Sequence, residues 1–129
     1  AHWAVGPGGG RVLEIPPLTA RRLGMNLPLG GGGYLRLLPA WMISRALRSA
    51  TRRRQVSVIY LHPWEFDPAQ PVLPMSRASR WRHRVNLGRT AGKLHRLLAA
   101  HRFGSFRELL DRLKQSASAE YRFGPSESD

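Results

Sequence analysis

Val56-Ser57-Val58-Ile59-Tyr60-Leu61 is mostly apolar, β-branched or aromatic, and reads as a buried strand. Pro63 ends it abruptly, because proline has no amide hydrogen for the next ladder rung. His62, Trp64 and Glu65 are thus delivered together at the C-terminal end of a strand, where α/β folds usually carry their chemistry. A lone loop histidine capped by its neighbours is the plainer reading of the same residues.

The rest of the chain supplies few strands to pair with this one. Residues 1–10 are rich in Gly and Pro and read as a loop. Arg11 to Pro16 is a short strand closed by Pro16-Pro17. Residues 17–33 read as loop and end in the run Gly30–Gly33, and Tyr34 to Leu38 reads as a helical turn. A helix is expected from Pro39, with Met42, Ala46 and Ala50 on one side and Ile43 and Leu47 beside them, ending in the cluster Arg52-Arg53-Arg54. Residues 63–80 hold four prolines and no helical period, so a loop is expected. Arg89 to His101 carries Leu94, Leu97 and Leu98 on an apolar stripe. Ser105 to Glu108 is a capping box that opens a helix with Phe106, Leu109, Leu110 and Leu113 at i, i+3, i+4 and i+7. From Gln115 onward a polar, frayed tail is expected. This element order suggests α/β. Two strands are too few for a sheet with helices on its faces, which favours a fragment of something larger.

With 129 residues the chain is one domain or part of one. Lys and Arg number 21 against 8 Asp and Glu, a net charge of +13, and only Lys93 and Lys114 are lysines. Heavy arginine use points either to phosphate recognition or to a GC-rich coding sequence, and the many Ala, Gly and Pro residues favour the second. Without cysteine, disulfides and thiolate metal sites are excluded. No apolar run approaches the about 20 residues of a membrane span. The start, Ala-His-Trp-Ala-Val-Gly-Pro, has no initiator Met and does not read as a signal peptide; it reads as the middle of something. A cytoplasmic or membrane-peripheral location is expected.

Gly30–Gly33 admits positive φ and close backbone approach, which suits either a flexible turn or a loop wrapped round a substrate groove with Tyr34 and Arg36 facing it. It is no phosphate-binding loop, since no Gly-Lys-Ser/Thr follows. His62, Glu65 and Asp67 resemble a ligand set on paper, but Pro63 and the loop setting argue against a metal there. Trp64 is either a sugar-stacking ring or a core tryptophan. Glu65 either orients the His62 imidazole or pairs with one of the arginines. His83, among Arg80, Trp81, Arg82 and Arg84, belongs to a basic-aromatic cluster that suits a polyanion or simply a solvated loop. A nucleic-acid- or polyanion-binding module is the alternative function, although no known nucleic-acid-binding signature supports it.

Four segments together resemble a known family: Glu14-Ile15-Pro16, Leu27 to Pro39 with its Gly-Gly-Gly-Tyr-x-Arg-x-x-Pro core, Tyr60-Leu61-His62-Pro63-Trp64-Glu65, and Arg82-His83-Arg84-Val85-Asn86-Leu87. Their order and spacing are similar to the C-terminal part of polysaccharide deacetylases of the exosortase (PEP-CTERM) locus, which belong to carbohydrate esterase family 4. The resemblance covers roughly residues 11 to 110. It implies a distorted (β/α) barrel, residues 1–114 as its C-terminal portion with 115–129 as a tail, and removal of N-acetyl groups from an amino-sugar polymer. It implies His62 as the general acid, with Trp64, Glu65, Tyr34 and Arg36 at the substrate. In that family an Asp and two His hold a divalent metal, usually zinc, and a second Asp is the base. Here the aspartates are only Asp67, Asp111 and Asp129, and His2, His62, His83, His95 and His101 form no His-x-x-x-His pair. The expectation is a chain that binds no metal and is inactive without the missing N-terminal half of the barrel.

Overall fold

The computed structural model describes residues 1–22, 24–117 and 119–123. The chain divides into two compact units, Pro17–Arg102 and a discontinuous one built from Ala1–Pro16 with Phe103–Asp129.

In the discontinuous unit, β1 (His2–Val5) pairs antiparallel with β2 (Arg11–Glu14), from His2 opposite Glu14 to Val5 opposite Arg11. The glycine-rich connection closes through Gly6 N–H to Gly10 O at 2.9 Å. A third strand, here called β5 (Glu120–Arg122), runs parallel to β1 on its other edge. The expected helix is present as α5 (Phe106–Ser116), with Ser105 Oγ accepting from Glu108 N–H and Glu108 Oε2 accepting from Ser105 N–H. Leu113 is buried, while Phe106 and Leu110 of the same stripe are 57% and 39% exposed. The frayed tail expected from Gln115 is corrected in part: α5 runs to Ser116, and 120–122 is paired because β1 offers it a free edge. Residues 124–129 of that tail lie outside the described residues.

Pro17–Arg102 opens with a hairpin, β3 (Thr19–Arg22) against β4 (Met25–Pro28), where the sequence suggested a loop. Its signal was weak but real: Leu18 and Ala20 on one side, Leu27 and Leu29 on the other, alternate into the core with period two. Then follow α1 (Gly32–Leu37), α2 (Ala40–Arg52), a 3₁₀ turn (Pro63–Phe66), α3 (Arg77–Arg84) and α4 (Leu87–Ala100). The core joins Leu18, Leu29 and Leu35 to Ile43, Ala46, Leu47 and Ala50 of α2 and Leu97 of α4. α3 was not expected. It is capped by Ser76, buries no residue, and so left no apolar period to read.

The buried strand expected at 56–61 is corrected. The segment is extended but, among the described residues, makes only two isolated parallel bridges, Val58 with Pro17 and Tyr60 with Gly31. Leu18 N–H donates to Val58 O and Tyr60 N–H to Gly30 O, both at 2.9 Å. Ile59 and Leu61 pack on the core, whereas Val56 and Tyr60 are 36% and 51% exposed. The alternation is thus that of a strand with one face covered, and too few rungs meet it to build a sheet. The class is mixed α/β, but the five short strands lie in two small, mainly antiparallel sheets and close no barrel among the described residues.

The C-terminus of α4 is tied to α2. His101 Nε2 lies 2.7 Å from Ser44 Oγ, which also accepts from Arg48 NH1 at 2.8 Å. Burial first, and the Arg48 charge second, push the His101 pKa below the usual 6.5. As pH falls below 6.5 the unfolded chain therefore takes up this proton before the folded one does. Stability from this group is complete above that pH and declines below it until the folded pKa is reached. NMR titration is expected to place His101 below the usual 6.5, and a value at or above 6.5 would refute the assignment.

Candidate functional site

The extended segment 56–61 delivers His62 to the surface, and Pro63 starts the 3₁₀ turn that follows it. Glu65 holds this corner: its Oε2 accepts the His62 backbone N–H at 3.0 Å, and its own N–H donates to His62 O at 3.0 Å. Its carboxylate therefore orients the backbone of His62 and not the imidazole. Glu65 is 2% exposed and faces Arg36 of α1, with Nε 3.3 Å from Oε1. That Nε makes no aligned hydrogen bond among the described residues, so charge more than fork geometry joins the pair. Arg36 NH1 donates instead to Arg82 O and His83 O, at 3.0 and 2.9 Å, at the C-terminal end of α3.

Above this ion pair lies a row of rings. Trp64 stacks on His83 at 4.5 Å with an interplanar angle of 6°. It lies nearly parallel to His62 at 6.0 Å and 11°, and the Arg36 guanidinium sits 5.0 Å from its centroid. Tyr60 meets His62 edge to face at 6.3 Å. His62 and Tyr60 are exposed, and Trp64 and His83 are half-buried. The structure thus presents an imidazole at the surface, backed by a tryptophan whose position is fixed from beneath by a buried ion pair.

The glycine run serves close approach and no positive φ, since the glycines with positive φ are Gly9 and Gly24. A Cβ on Gly30 would lie 2.6 Å from Val58 O, closing the space where the extended segment passes. One on Gly32 would collide with the Glu65 carboxylate. Gly32→Ala is therefore expected to cost about 1–3 kcal/mol, because a buried, paired carboxylate must give way. Urea unfolding checks this, and an unchanged midpoint would show that Glu65 has room to move.

The end of α1 is equally fixed. Lys93 of α4 donates from Nζ to Leu35 O, Arg36 O and Leu38 O at 3.0, 2.7 and 2.9 Å. A cation at a helix C-terminus satisfies orphan carbonyls and the helix dipole together. Burial, then the neighbouring charges of Arg89 and Arg96, push the Lys93 pKa below its usual 10.5. Asn86, in the left-handed conformation at φ 56°, adds Nδ2 to Arg36 O at 3.0 Å.

His62, Trp64, Glu65 and Arg36 are thus brought together, but in unequal positions. Arg36 and Glu65, expected at the substrate, are buried and reach the surface only through the rings and backbone they position. Tyr34, 36% exposed, stands two residues from Arg36 and so about 200° away around α1; the two do not share a face. His83, Lys93 and Asn86 were missed as members of this network. The segment Arg82 to Leu87 held the only hint, and nothing in the sequence marked Lys93 except its being one of two lysines.

The fold and site define a mixed α/β chain with an exposed histidine on a supported aromatic row. The family described as a domain of unknown function (DUF3473) matches residues 1–111, and the chain belongs to it. No curated protein and no solved structure matches the chain. No helix among the described residues is long and apolar enough to cross a membrane.

Proposed function

We propose that this chain forms the C-terminal part of a metal-dependent polysaccharide N-deacetylase, with His62 as the general acid and an amino-sugar polymer as substrate. The family is known as the C-terminal part of polysaccharide deacetylases. The observation that carries the reading is His62 itself: its ring is exposed, its backbone is held by Glu65, and Trp64 lies against it. In this role the protonated imidazole gives its N–H proton to the amide nitrogen as the C–N bond breaks. Water supplies the oxygen that turns the acetyl group into acetate, and a free amine remains on the sugar. Imidazole suits this task because it titrates near working pH.

The described residues contain no group of three or more His, Cys, Asp or Glu placed to hold a metal ion. The donor set here does not fit a catalytic metal site, so the proposal assigns the metal and the base to further parts of the parent protein, along with the rest of the barrel. The complete open reading frame that carries this chain, loaded with zinc, is expected to release acetate from N-acetylglucosamine oligomers, and residues 1–129 alone are expected to release none. Acetate release by the 129 residues alone would overturn the division of labour. Its absence from the complete, zinc-loaded protein would overturn the activity.

A further inference from the structure

Trp41, Arg45, Arg48 and Arg52 follow one another at intervals of four, three and four residues, so α2 carries them on one stripe. All four are exposed, Trp41 at 65%, while the opposite side of α2 is buried in the core. α4 brings Arg89 and Arg96, seven residues apart, to a groove of about 810 Å³ that Trp41 and Ser44 line from α2, while Arg45, Arg48 and Arg52 line a separate hollow farther along α2. The groove is open over Gly88 and Gly92, where a Cβ would meet nothing within 4 Å. Arg48 is held in place through Ser44 and His101.

The charge on this face is not balanced from within. Residues 17–102 hold sixteen of the 21 Lys and Arg but only two of the eight acids, Glu65 and Asp67. Glu65 is sealed against Arg36, and Asp67 accepts the Ala69 N–H. Among the described residues, none of Arg45, Arg48, Arg52, Arg89 and Arg96 has a carboxylate within ion-pair distance. Guanidinium groups gathered without counter-charge repel one another, and an anionic ligand relieves that repulsion.

We infer that the α2–α4 face binds an acidic polysaccharide chain, with Trp41 against a sugar ring and the arginines on its carboxylates. Sites for single-stranded nucleic acid stack successive bases on several aromatic side chains. Here one tryptophan is followed by three arginines at about one-turn steps. The arginines recur at about one helical turn, about 5.4 Å, a spacing that lets an extended acidic chain running along α2 meet more than one of them. The choice of a glycan among polyanions rests on the deacetylase reading.

The test is calorimetric titration of the 129-residue chain with an oligogalacturonate, compared with a neutral N-acetylglucosamine oligomer and a single-stranded DNA of equal charge. The oligogalacturonate is expected to bind most tightly. Trp41→Ala is expected to weaken it about tenfold and Arg45→Gln/Arg48→Gln/Arg52→Gln about 100-fold. Val12→Ala, at an exposed position of β2, is expected to change nothing, and thermal melts confirm that each variant is folded. Absence of oligogalacturonate binding, equal binding by folded Trp41→Ala, or tighter binding of the DNA would each overturn the inference. Acetate release by the complete protein is scored separately. Its loss with galacturonate binding intact removes the deacetylase activity and leaves this face, and the reverse result removes this face alone.

Discussion

Glu65→Ala is expected to destabilise the chain by about 3–5 kcal/mol, because it leaves the Arg36 guanidinium buried without its counter-charge. Arg36 is 5% exposed and has no route to water that keeps its bonds to Arg82 O and His83 O. The same substitution frees the His62 N–H and removes the carboxylate that Gly32 makes room for. Denaturant unfolding followed by tryptophan signal measures the loss. The double variant Arg36→Met/Glu65→Leu is expected to lose less than the two single changes together, since apolar residues of similar volume often replace a buried ion pair at little cost. Additive losses, or a Glu65→Ala loss below about 1 kcal/mol, would show that the pair does not hold the platform.

In the complete protein, His62→Asn is expected to lower kcat for acetate release by about 10²–10⁴-fold. The substitution keeps the backbone N–H that Glu65 accepts, so the corner itself should persist. Melting of the variant near the wild-type temperature separates a lost proton donor from a lost fold. A variant that keeps more than about a tenth of kcat would remove His62 from the reaction.

Much of this was legible before any coordinates. The α2 face and the Ser105–Glu108 capping box follow from local rules of period and hydrogen bonding, although Met42, expected on that face with Ala46 and Ala50, is only half-buried while Ile43 and Leu47 beside it are buried. The hairpin 19–28 was harder, because Ala20, Arg21, Asn26 and Pro28 have weak strand preference and only the alternation of small and apolar residues marks it. α3 was not legible, for its helix is secured by the Ser76 cap and by Arg36 reaching its last carbonyls, with no buried stripe of its own.

The sequence by itself determined that His62, Trp64 and Glu65 sit together at the end of an extended apolar segment, since three near neighbours beside a proline have little freedom to separate. Only the tertiary structure decided which of them meets solvent. Arg36 and Glu65 lie 29 residues apart in the chain, and Lys93 reaches α1 across 55 to 58 residues. Contacts of that span depend on how the helices pack, because a buried charge must find its partner in the folded interior, and no local pattern fixes where that partner stands.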